Sequence, residues 1–253
     1  LYFKKIDDII ITIFNQPLHT QPLGISDMGC GDGTFLKHLY NVVLHETLRG
    51  ANINEFPLKI IGADYNHAAR LASIITLQNA KIDHLILSAD ISNPDEYADN
   101  LRDLSGLELR DMLNVRSFLD HNRIYQRPNT LNSNIKCDST GAFSYKGKWI
   151  KNKELKENLI MHFKSWFKYI NKYGLLILEL HTIDPRLVSK NLGLTATTAY
   201  DATHGYSDQY IVEVDIMIEA ALHAGLEAVE KHCINFPTDE LANVSINLLK
   251  SKN

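Results

Sequence analysis

The chain has 253 residues and a formal net charge of −4, with 45% hydrophobic and 22% charged residues. This composition excludes collagen, coiled coil and wholesale disorder, and the acidic balance argues against nucleic acid as a substrate. No apolar run reaches the ~18 residues of a membrane span. The three cysteines are far apart with no CxxC spacing, which favours a reducing, cytoplasmic compartment over a disulfide framework.

The first half of the chain alternates apolar runs with amphipathic stretches, a pattern that predicts a β/α series. Residues 1–14 are typical of the tail of an amphipathic helix. After them, strands are predicted at Leu23–Met28, Leu58–Ala63, Leu85–Ala89 and Asp111–Phe118, and helices at Thr34–Leu48, Ala68–Gln78 and Pro94–Leu104.

The second half continues the series and ends it differently. A long helix is predicted at Leu155–Tyr173, a buried apolar strand at Leu175–Leu180 and a further helix at Val212–Ala224. An antiparallel hairpin is predicted from the strands Leu226–Phe236 and Asn243–Leu249. Strands that alternate with helices imply an α/β fold with a doubly wound, mostly parallel sheet. We therefore expect a single domain over residues 1–253, with seven strands and a terminal antiparallel hairpin.

One polar stretch breaks this rhythm. Residues 122–153 are rich in Asn, Ser, Lys and Gly, and a structureless loop of about thirty residues is uncommon unless it is functional or disordered. Within it, Ala142–Ile150 alternates around Lys146-Gly147, which predicts a small hairpin. Two interpretations stay open: an inserted flap beside the active site, and a disordered surface insertion.

A glycine-rich turn lies between the first predicted strand and the first helix. It runs from Asp27 to Gly33 in the order D-x-G-x-G-x-G, with glycines at Gly29, Gly31 and Gly33. Glycines at such a place let the backbone turn tightly and approach a ligand closely. The order differs from the dinucleotide motif G-x-G-x-x-G. Cys30, inside the turn, is interpreted as a small packing residue.

The next two strands end in acids, Asp64 and Asp90. Together with the glycine turn, this pattern resembles class I S-adenosylmethionine-dependent methyltransferases, which have a Rossmann-like fold. The resemblance implies that the turn accommodates the methionine portion of the cofactor, that Asp64 accepts hydrogen bonds from the ribose hydroxyls, and that Asp90 lies near the adenine amino group. The full set of candidate cofactor-binding residues is Asp27, Gly29, Gly31, Gly33, Asp64, Tyr65, Asp90, Ile91 and Asn114.

Several later blocks are more distinctive. The blocks at residues 113–123, 141–143, 178–181 and 200–210 resemble, in this order, the metal-dependent C-methyltransferases of polyketide synthase loading modules of the apratoxin type. The resemblance implies methyl transfer to the α-carbon of a malonyl-type thioester on an acyl carrier protein, within a larger synthase. It also implies a mononuclear divalent metal, iron or manganese, held by His204 and Gln209. Chelation of the acceptor oxygens by that metal would stabilise an enolate.

Two histidines are candidates for the general base. His181 ends a central strand, where doubly wound sheets place their ligands, and His121 follows the fourth strand. A hydrogen-bonded structural histidine is the alternative for both, and His181 is also a candidate metal ligand. Arg116 is expected either to pair with a substrate carboxylate or, as we prefer, with Asp120. Tyr210 either walls the substrate pocket or packs.

Simpler interpretations apply to other residues. The remaining histidines, His162 among them, are interpreted as surface or helix-face positions. The lysines Lys146, Lys148, Lys151, Lys153 and Lys156 form a basic run that is either a docking site for an acidic carrier protein or a solvated charged face. Two functional alternatives also stay open: a metal-free methyltransferase acting on a small-molecule oxygen or nitrogen, and a catalytically dead methyltransferase-like module of a synthase.

Overall fold

The computed structural model describes residues 2–129, 132–194 and 208–252. It contains two compact units, Leu1–Ser117 with Tyr169–Leu176, and Phe118–Lys168 with Ile177–Asn253. The strands form a seven-stranded sheet in the order β3-β2-β1-β4-β7-β9-β8 and a separate two-stranded sheet, β5-β6. The predicted α/β fold with a seven-stranded, mostly parallel sheet is confirmed, whereas the single domain over residues 1–253 stays a prediction.

The first unit carries the start of the sheet and most of the early helices. Its strands are β1 Gly24–Met28, β2 Lys59–Asp64, β3 Leu85–Ser88 and β4 Met112–Ser117, and its helices are α1 Tyr2–Phe14, α2 Thr34–Glu46, α3 Leu48–Ala51, α4 His67–Asn79 and α5 Pro94–Ser105. Strand β1 pairs in parallel with β2 and with β4, and β2 pairs in parallel with β3. The strand ends of β1 and β2 therefore point the same way.

Apolar periodicity accounts for the packing of this unit. All five residues of β1 are buried, as expected for a strand covered on both faces. Helix α2 buries one stripe, Phe35, Leu36, Leu39, Val42 and Val43. Helix α1 buries Ile6, Ile9, Ile10 and Phe14 at helical spacing and contacts α2. A buried hydrogen bond of 2.8 Å between Ser26 Oγ and Tyr97 Oη ties β1 to α5.

The second unit contains most of the later elements. These are β5 Phe143–Tyr145, β6 Lys148–Ile150, the long α6 Asn152–Ile170, β7 Leu175–Leu180, α7 Pro185–Lys190, α8 Val214–His223, β8 Leu226–Phe236 and β9 Val244–Ser251. The last two residues of α6 and the first two of β7 belong to the first unit. Strands β8 and β9 are antiparallel, so the predicted terminal hairpin is confirmed. The first five residues of β7 are buried, as predicted from its continuous apolar run.

The polar stretch after β4 has structure of its own. Asp120–Asn122 forms a 3₁₀ turn, and the predicted small hairpin is present as the antiparallel pair β5-β6. The Glu213 carboxylate, next to the start of α8, accepts hydrogen bonds from the Ser139 hydroxyl and the Thr140 backbone, both at 2.7 Å. The described part of the stretch is therefore anchored to the second unit, and its role as a flap stays a prediction.

Two sequence interpretations were wrong in this unit. Lys156, assigned to an exposed basic run, is only 2% exposed; its ammonium pairs with Glu219 and donates to the Lys136 carbonyl at 2.8 Å. His162, assigned to a surface or helix face, is buried, and its Nε2 lies 2.8 Å from Asp120 Oδ1. In both residues the apolar part of the side chain is buried, and the polar end pairs with a carboxylate. Among the described residues, no helix is long and apolar enough to cross a membrane.

Candidate active site

The glycine turn has the tight backbone that its sequence predicts. Gly29, Gly31 and Gly33 have φ values of +81°, +55° and +79°, a region that side chains disfavour. A Cβ at Gly33 would lie 2.6 Å from Ser73 Oγ, so this glycine allows α2 to approach α4 closely. A Cβ at Gly31 would meet nothing within 4 Å. The turn is therefore packed at Gly33 and open at Gly31, where a ligand can approach the backbone.

Asp64, the acid at the end of β2, is tied to this turn. Its Oδ2 accepts the Gly31 N–H at 3.1 Å, and its Oδ1 accepts the Asn66 N–H at 2.7 Å. Asp90, after β3, similarly accepts the Ser92 N–H at 2.8 Å. Tyr65, beside Asp64, is 79% exposed, which leaves its ring free to cover a flat ligand. The structure therefore brings Asp64 to the glycine turn, and its contact with the ribose hydroxyls stays a prediction.

Asp27 lies at the start of the turn and is 1% exposed. Burial raises the pKa of its carboxyl group well above the usual value, and the nearby Asp64 charge raises this pKa further. Its Oδ1 has no hydrogen-bond partner among the described residues. A buried carboxyl oxygen without a donor is costly, and an ammonium group such as that of a methionine moiety would satisfy it. The turn therefore fits S-adenosylmethionine.

The other candidates in this unit have different surroundings. Asn114 is buried, and its amide nitrogen lies 3.1 to 3.4 Å from the carbonyl oxygens of Leu109, Met112 and Tyr169. These bonds give it a structural role in and around β4, and its contact with the cofactor stays a prediction. Ile91 is buried apolar surface. Burial raises the pKa of the Cys30 thiol to about 12, which agrees with its interpretation as a packing residue.

A second group of polar residues surrounds His121 in the 3₁₀ turn. His121 is 5% exposed, and its Nδ1 lies 2.6 Å from Oε1 of Glu179, the fifth residue of β7. The backbone N–H of His121 also donates to Oε2 of the same carboxylate at 3.2 Å. Glu179 was not among the site residues predicted from the sequence. The available signal was one acid in the otherwise apolar run Leu-Leu-Ile-Leu-Glu-Leu of a central strand.

The other edge of the His121 ring contacts a chain of amides. Asn122 Nδ2 donates to His121 Nε2 at 3.1 Å, and Gln209 Nε2 donates to Asn122 Oδ1 at 2.7 Å. Because the carboxylate of Glu179 requires a proton on Nδ1, the neutral ring has its lone pair on Nε2. Asn122 is exposed, so the basic nitrogen is on the side of the ring nearer the surface. This arrangement is that of a general base oriented by a carboxylate.

His181 has the surroundings of a structural histidine. It is 3% exposed; Nδ1 donates to the Val212 carbonyl at 3.0 Å, and Nε2 accepts from the Ser245 hydroxyl at 2.7 Å. Burial lowers the pKa of His181 to about 4, although the nearby Glu179 charge opposes this shift. Both ring nitrogens of His181 are held by buried partners, whereas Nε2 of His121 contacts the exposed Asn122, and burial keeps the His181 ring neutral. This geometry favours the structural alternative over the role of base.

Two residues close to His121 carry buried hydrogen-bond donors. The sequence left the role of Tyr210 open, and Arg123 was not among the predicted site residues. Tyr210 is 2% exposed, and its backbone N–H donates to the His121 carbonyl at 2.8 Å. The Arg123 guanidinium lies 5.5 Å from the centre of the Tyr210 ring, and burial lowers the pKa of Arg123 to about 10. The Tyr210 hydroxyl and Arg123 Nη2 have no hydrogen-bond partner among the described residues. They are two unused donors in one buried region.

The metal prediction depends on a residue outside the described ranges. His204 falls in the gap between residues 194 and 208, whereas Gln209 lies next to Asn122. Within residues 2–129, 132–194 and 208–252, no group of three His, Cys, Asp or Glu side chains is arranged to hold a metal ion. The described residues therefore supply one of the two candidate ligands and do not by themselves fit a metal site.

Strand order, glycine turn and strand-end acids together define a class I S-adenosylmethionine-dependent methyltransferase. A sequence model of the AprA MT2-like domain matches residues 1–247, and the chain belongs to this family. No curated protein matches the sequence.

Solved structures with the same fold include enzymes of polyketide and natural-product biosynthesis. The citrinin polyketide synthase CMeT domain has a TM-score of 0.58 at 10% identity, over 100% of this chain and 52% of that chain. Mitomycin 7-O-methyltransferase MmcR has a TM-score of 0.55 at 9% identity, over 98% of this chain and 53% of that chain. The CurJ carbon methyltransferase has a TM-score of 0.53 at 12% identity, over 99% of this chain and 54% of that chain. The chain spans about half the length of these structures, and at such identities the likeness shows the fold alone.

Proposed function

We propose that this methyltransferase transfers the methyl group to the α-carbon of a malonyl-type acyl thioester on an acyl carrier protein, with His121 as the general base. The observation that carries the proposal is the 2.6 Å contact between His121 Nδ1 and Glu179 Oε1 in a buried site. A carbon acid is a poor nucleophile until it loses a proton, so this reaction needs a positioned base. The family, together with the polyketide synthase CMeT domain among the structures of the same fold, supports a carrier-bound acyl group as the acceptor.

His121 would act through its Nε2. Glu179 holds the proton on Nδ1, so the Nε2 lone pair, which accepts from Asn122 Nδ2 in this structure, takes the α-proton once the acceptor displaces that amide. The C–H bonding electrons move into the enolate, and the imidazolium that forms is stabilised by the Glu179 carboxylate. S-adenosylmethionine supplies an electrophilic methyl group on a sulfonium. The enolate carbon bonds to that methyl, the sulfur keeps the electrons of the broken S–C bond as S-adenosylhomocysteine, and His121 releases its proton to water.

The charge that develops on the enolate oxygen needs donors. Arg123 Nη2 and the Tyr210 hydroxyl are buried donors without a hydrogen-bond partner among the described residues, and the Tyr210 backbone N–H is hydrogen-bonded to the His121 carbonyl. In a buried region such donors stabilise a developing oxyanion strongly, because little water competes with them. We therefore assign Arg123 and Tyr210 to stabilisation of the enolate. Metal assistance through His204 and Gln209 stays a separate prediction of the family resemblance, and no step above depends on it.

Intact-protein mass spectrometry of a malonyl-carrier protein tests the proposal. The full chain is incubated with the carrier and S-adenosylmethionine, with iron or manganese and again with a chelator. We expect a mass gain of one methyl group that disappears in His121→Ala. Methyl gain in the presence of the chelator would support the proposed reaction and contradict a requirement for the metal.

Failure would be informative as well. No methyl gain, with S-adenosylhomocysteine binding confirmed by calorimetry, would contradict the proposed acceptor and favour a small-molecule oxygen or nitrogen. Absence of S-adenosylhomocysteine binding would instead favour a catalytically dead module.

A further inference from the structure

A cavity of about 370 Å³ lies in the second unit between the β5-β6 hairpin, the start of α6 and the segment that follows the 3₁₀ turn. Three cations line it, Arg127, Lys148 and Lys151, with a single carboxylate, Glu154. The Arg127 side chain is 78% exposed, and its Nη2 lies 3.8 Å from Oε1 of Glu154. The lining is therefore positive in a chain whose net charge is −4. A local excess of cations in an acidic protein attracts an anionic ligand.

Aromatic rings form the rest of the cavity wall. Trp149 is 71% exposed, an unusual exposure for so large an apolar side chain. Tyr125 and Tyr145 also line the cavity, with ring centres 5.5 Å apart. Exposed tryptophan and arginine together are typical of sites that bind a partner. The ligand should therefore combine an anionic group with an apolar portion.

The cavity is connected to the candidate base through aromatic packing. The centres of the Tyr125 and Tyr210 rings are 5.9 Å apart, and the Tyr210 backbone N–H donates a hydrogen bond to the His121 carbonyl. One wall of the cavity, at Tyr125, thus packs against a residue that is hydrogen-bonded to His121. The acceptor proposed above has matching chemistry, because a carrier protein presents its acyl thioester on a phosphopantetheine arm. That arm has a phosphodiester at one end, an apolar branched segment, and the thioester at the other end.

We propose that this cavity binds the phosphodiester end of the carrier's phosphopantetheine arm, with Lys148 and Lys151 at the phosphate and Trp149 against the apolar segment. The inference rests on the proposed function, because it takes a carrier-bound thioester as the acceptor. Charge pairing of this kind at an accessible site contributes to encounter and to orientation more than to a large affinity. The cations fix the far end of the arm, and the aromatic wall guides its thioester end towards His121.

Calorimetric titration of the full chain with free 4′-phosphopantetheine and with pantetheine tests the inference, since the two probes differ by the phosphate alone. We expect phosphopantetheine to bind about tenfold more tightly. The double variant Lys148→Glu/Lys151→Glu should abolish this difference, and Lys164→Glu, an exposed lysine further along α6 that does not line the cavity, should preserve it. Equal affinities for the two probes in the wild type, or an unchanged difference in the double variant, would overturn the inference.

Tryptophan fluorescence locates the ligand independently. The chain has two tryptophans, and Trp166 is fully buried, so an emission change on binding reports Trp149. This change should be absent in Trp149→Phe. Phosphopantetheine binding that leaves the emission unaltered would place the ligand elsewhere and contradict the proposal.

These titrations do not require methyl transfer. Selective binding of phosphopantetheine without methylation of the malonyl-carrier would contradict the proposed function and leave the phosphate site standing. Methylation of the carrier without selective binding of phosphopantetheine would support the proposed function and contradict the phosphate site.

Discussion

Glu179 holds His121 at two points: its Oε1 lies 2.6 Å from the ring Nδ1, and its Oε2 accepts the His121 backbone N–H at 3.2 Å. The same Oε1 accepts the Leu180 N–H at 2.7 Å. One carboxylate near the end of β7 thus fixes the ring, the backbone of the 3₁₀ turn and its own strand. Because the carboxylate is fully engaged on the buried side, the proton on Nδ1 is determined and Nε2 is the basic nitrogen, which in this structure accepts a hydrogen bond from the exposed Asn122 amide.

The first prediction concerns this pair. His121→Ala should lower kcat for methyl transfer about 10²- to 10⁴-fold, the usual contribution of a positioned general base, with little change in the affinity for S-adenosylhomocysteine. Glu179→Gln should also lower kcat by about 10²-fold or more, because a glutamine can present its amide N–H to the ring and place the lone pair on the wrong nitrogen. Single-turnover kinetics and calorimetry measure the two effects separately.

A surface pair offers a matched control for this prediction. His38 Nε2 lies 2.6 Å from Asp7 Oδ1, the same separation as in the candidate site, but the His38 side chain is 33% exposed. His38→Ala should leave kcat unchanged. An equal loss of activity in His38→Ala and His121→Ala would show that folding, and not the base, is being measured.

Much of the fold could be predicted because its signals are local. The predicted strand Leu175–Leu180 coincides with β7, since a continuous apolar run closed by Gly174 on one side and polar residues on the other leaves little choice. The tight backbone of the glycine turn is also a local signal, because D-x-G-x-G-x-G lies within seven consecutive residues, whereas the roles of the turn and of Asp64 in cofactor binding stay predictions. Where local periodicity sets the structure, the sequence is informative.

The site in the second unit could be predicted only in part, because its partners are distant in sequence. His121 and Glu179 are 58 positions apart, and His181 meets its Ser245 partner across 64 positions. Position at a strand end made His181 the first candidate for the base, and only the structure shows that buried groups hold the ring at both nitrogens. Lys156 was different: it shares a helical stripe with Leu159 and Phe163, a signal in the sequence that its charge obscured.

The second prediction compares two glycines with the same strain. Gly31 has φ +55° and Gly106 has φ +71°, and a Cβ at either would meet nothing within 4 Å. Replacement by alanine should cost about 1 to 2 kcal/mol of unfolding free energy at both positions, because each forces a side chain into a left-handed backbone. Only Gly31→Ala should weaken S-adenosylhomocysteine binding, since its methyl group enters the open side of the turn. Similar calorimetric affinities for both variants would contradict the assignment of the turn to the cofactor.

The third prediction concerns Asp27 and pH. Burial and the Asp64 charge raise the pKa of the free Asp27 carboxyl, and an ammonium ligand favours the ionised form. Affinity for S-adenosylhomocysteine should therefore rise with pH across the range in which Asp27 ionises. Asp27→Asn should bind more weakly and lose this component of the pH dependence while remaining folded, because the amide resembles the neutral acid in shape. Calorimetry at several pH values measures both, and an identical profile in the variant would remove Asp27 from the cofactor site.

The fourth prediction follows from His181, whose pKa burial lowers from 6.5 to about 4. In the unfolded chain this histidine takes up a proton as the pH falls below about 6.5, whereas in the folded chain it stays neutral until about pH 4. The unfolded state therefore binds more protons in this window, and the contribution of His181 to stability is present above it and lost as the pH falls. Between pH 7 and pH 5 the loss from this group should be about 2 kcal/mol. Urea unfolding at a series of pH values should show a slope that is reduced by up to about one proton in His181→Gln, which has no ionisable ring. A slope equal to that of the wild type would mean that His181 takes up its proton at the same pH in the folded and the unfolded chain, and would return it to the candidates for the base.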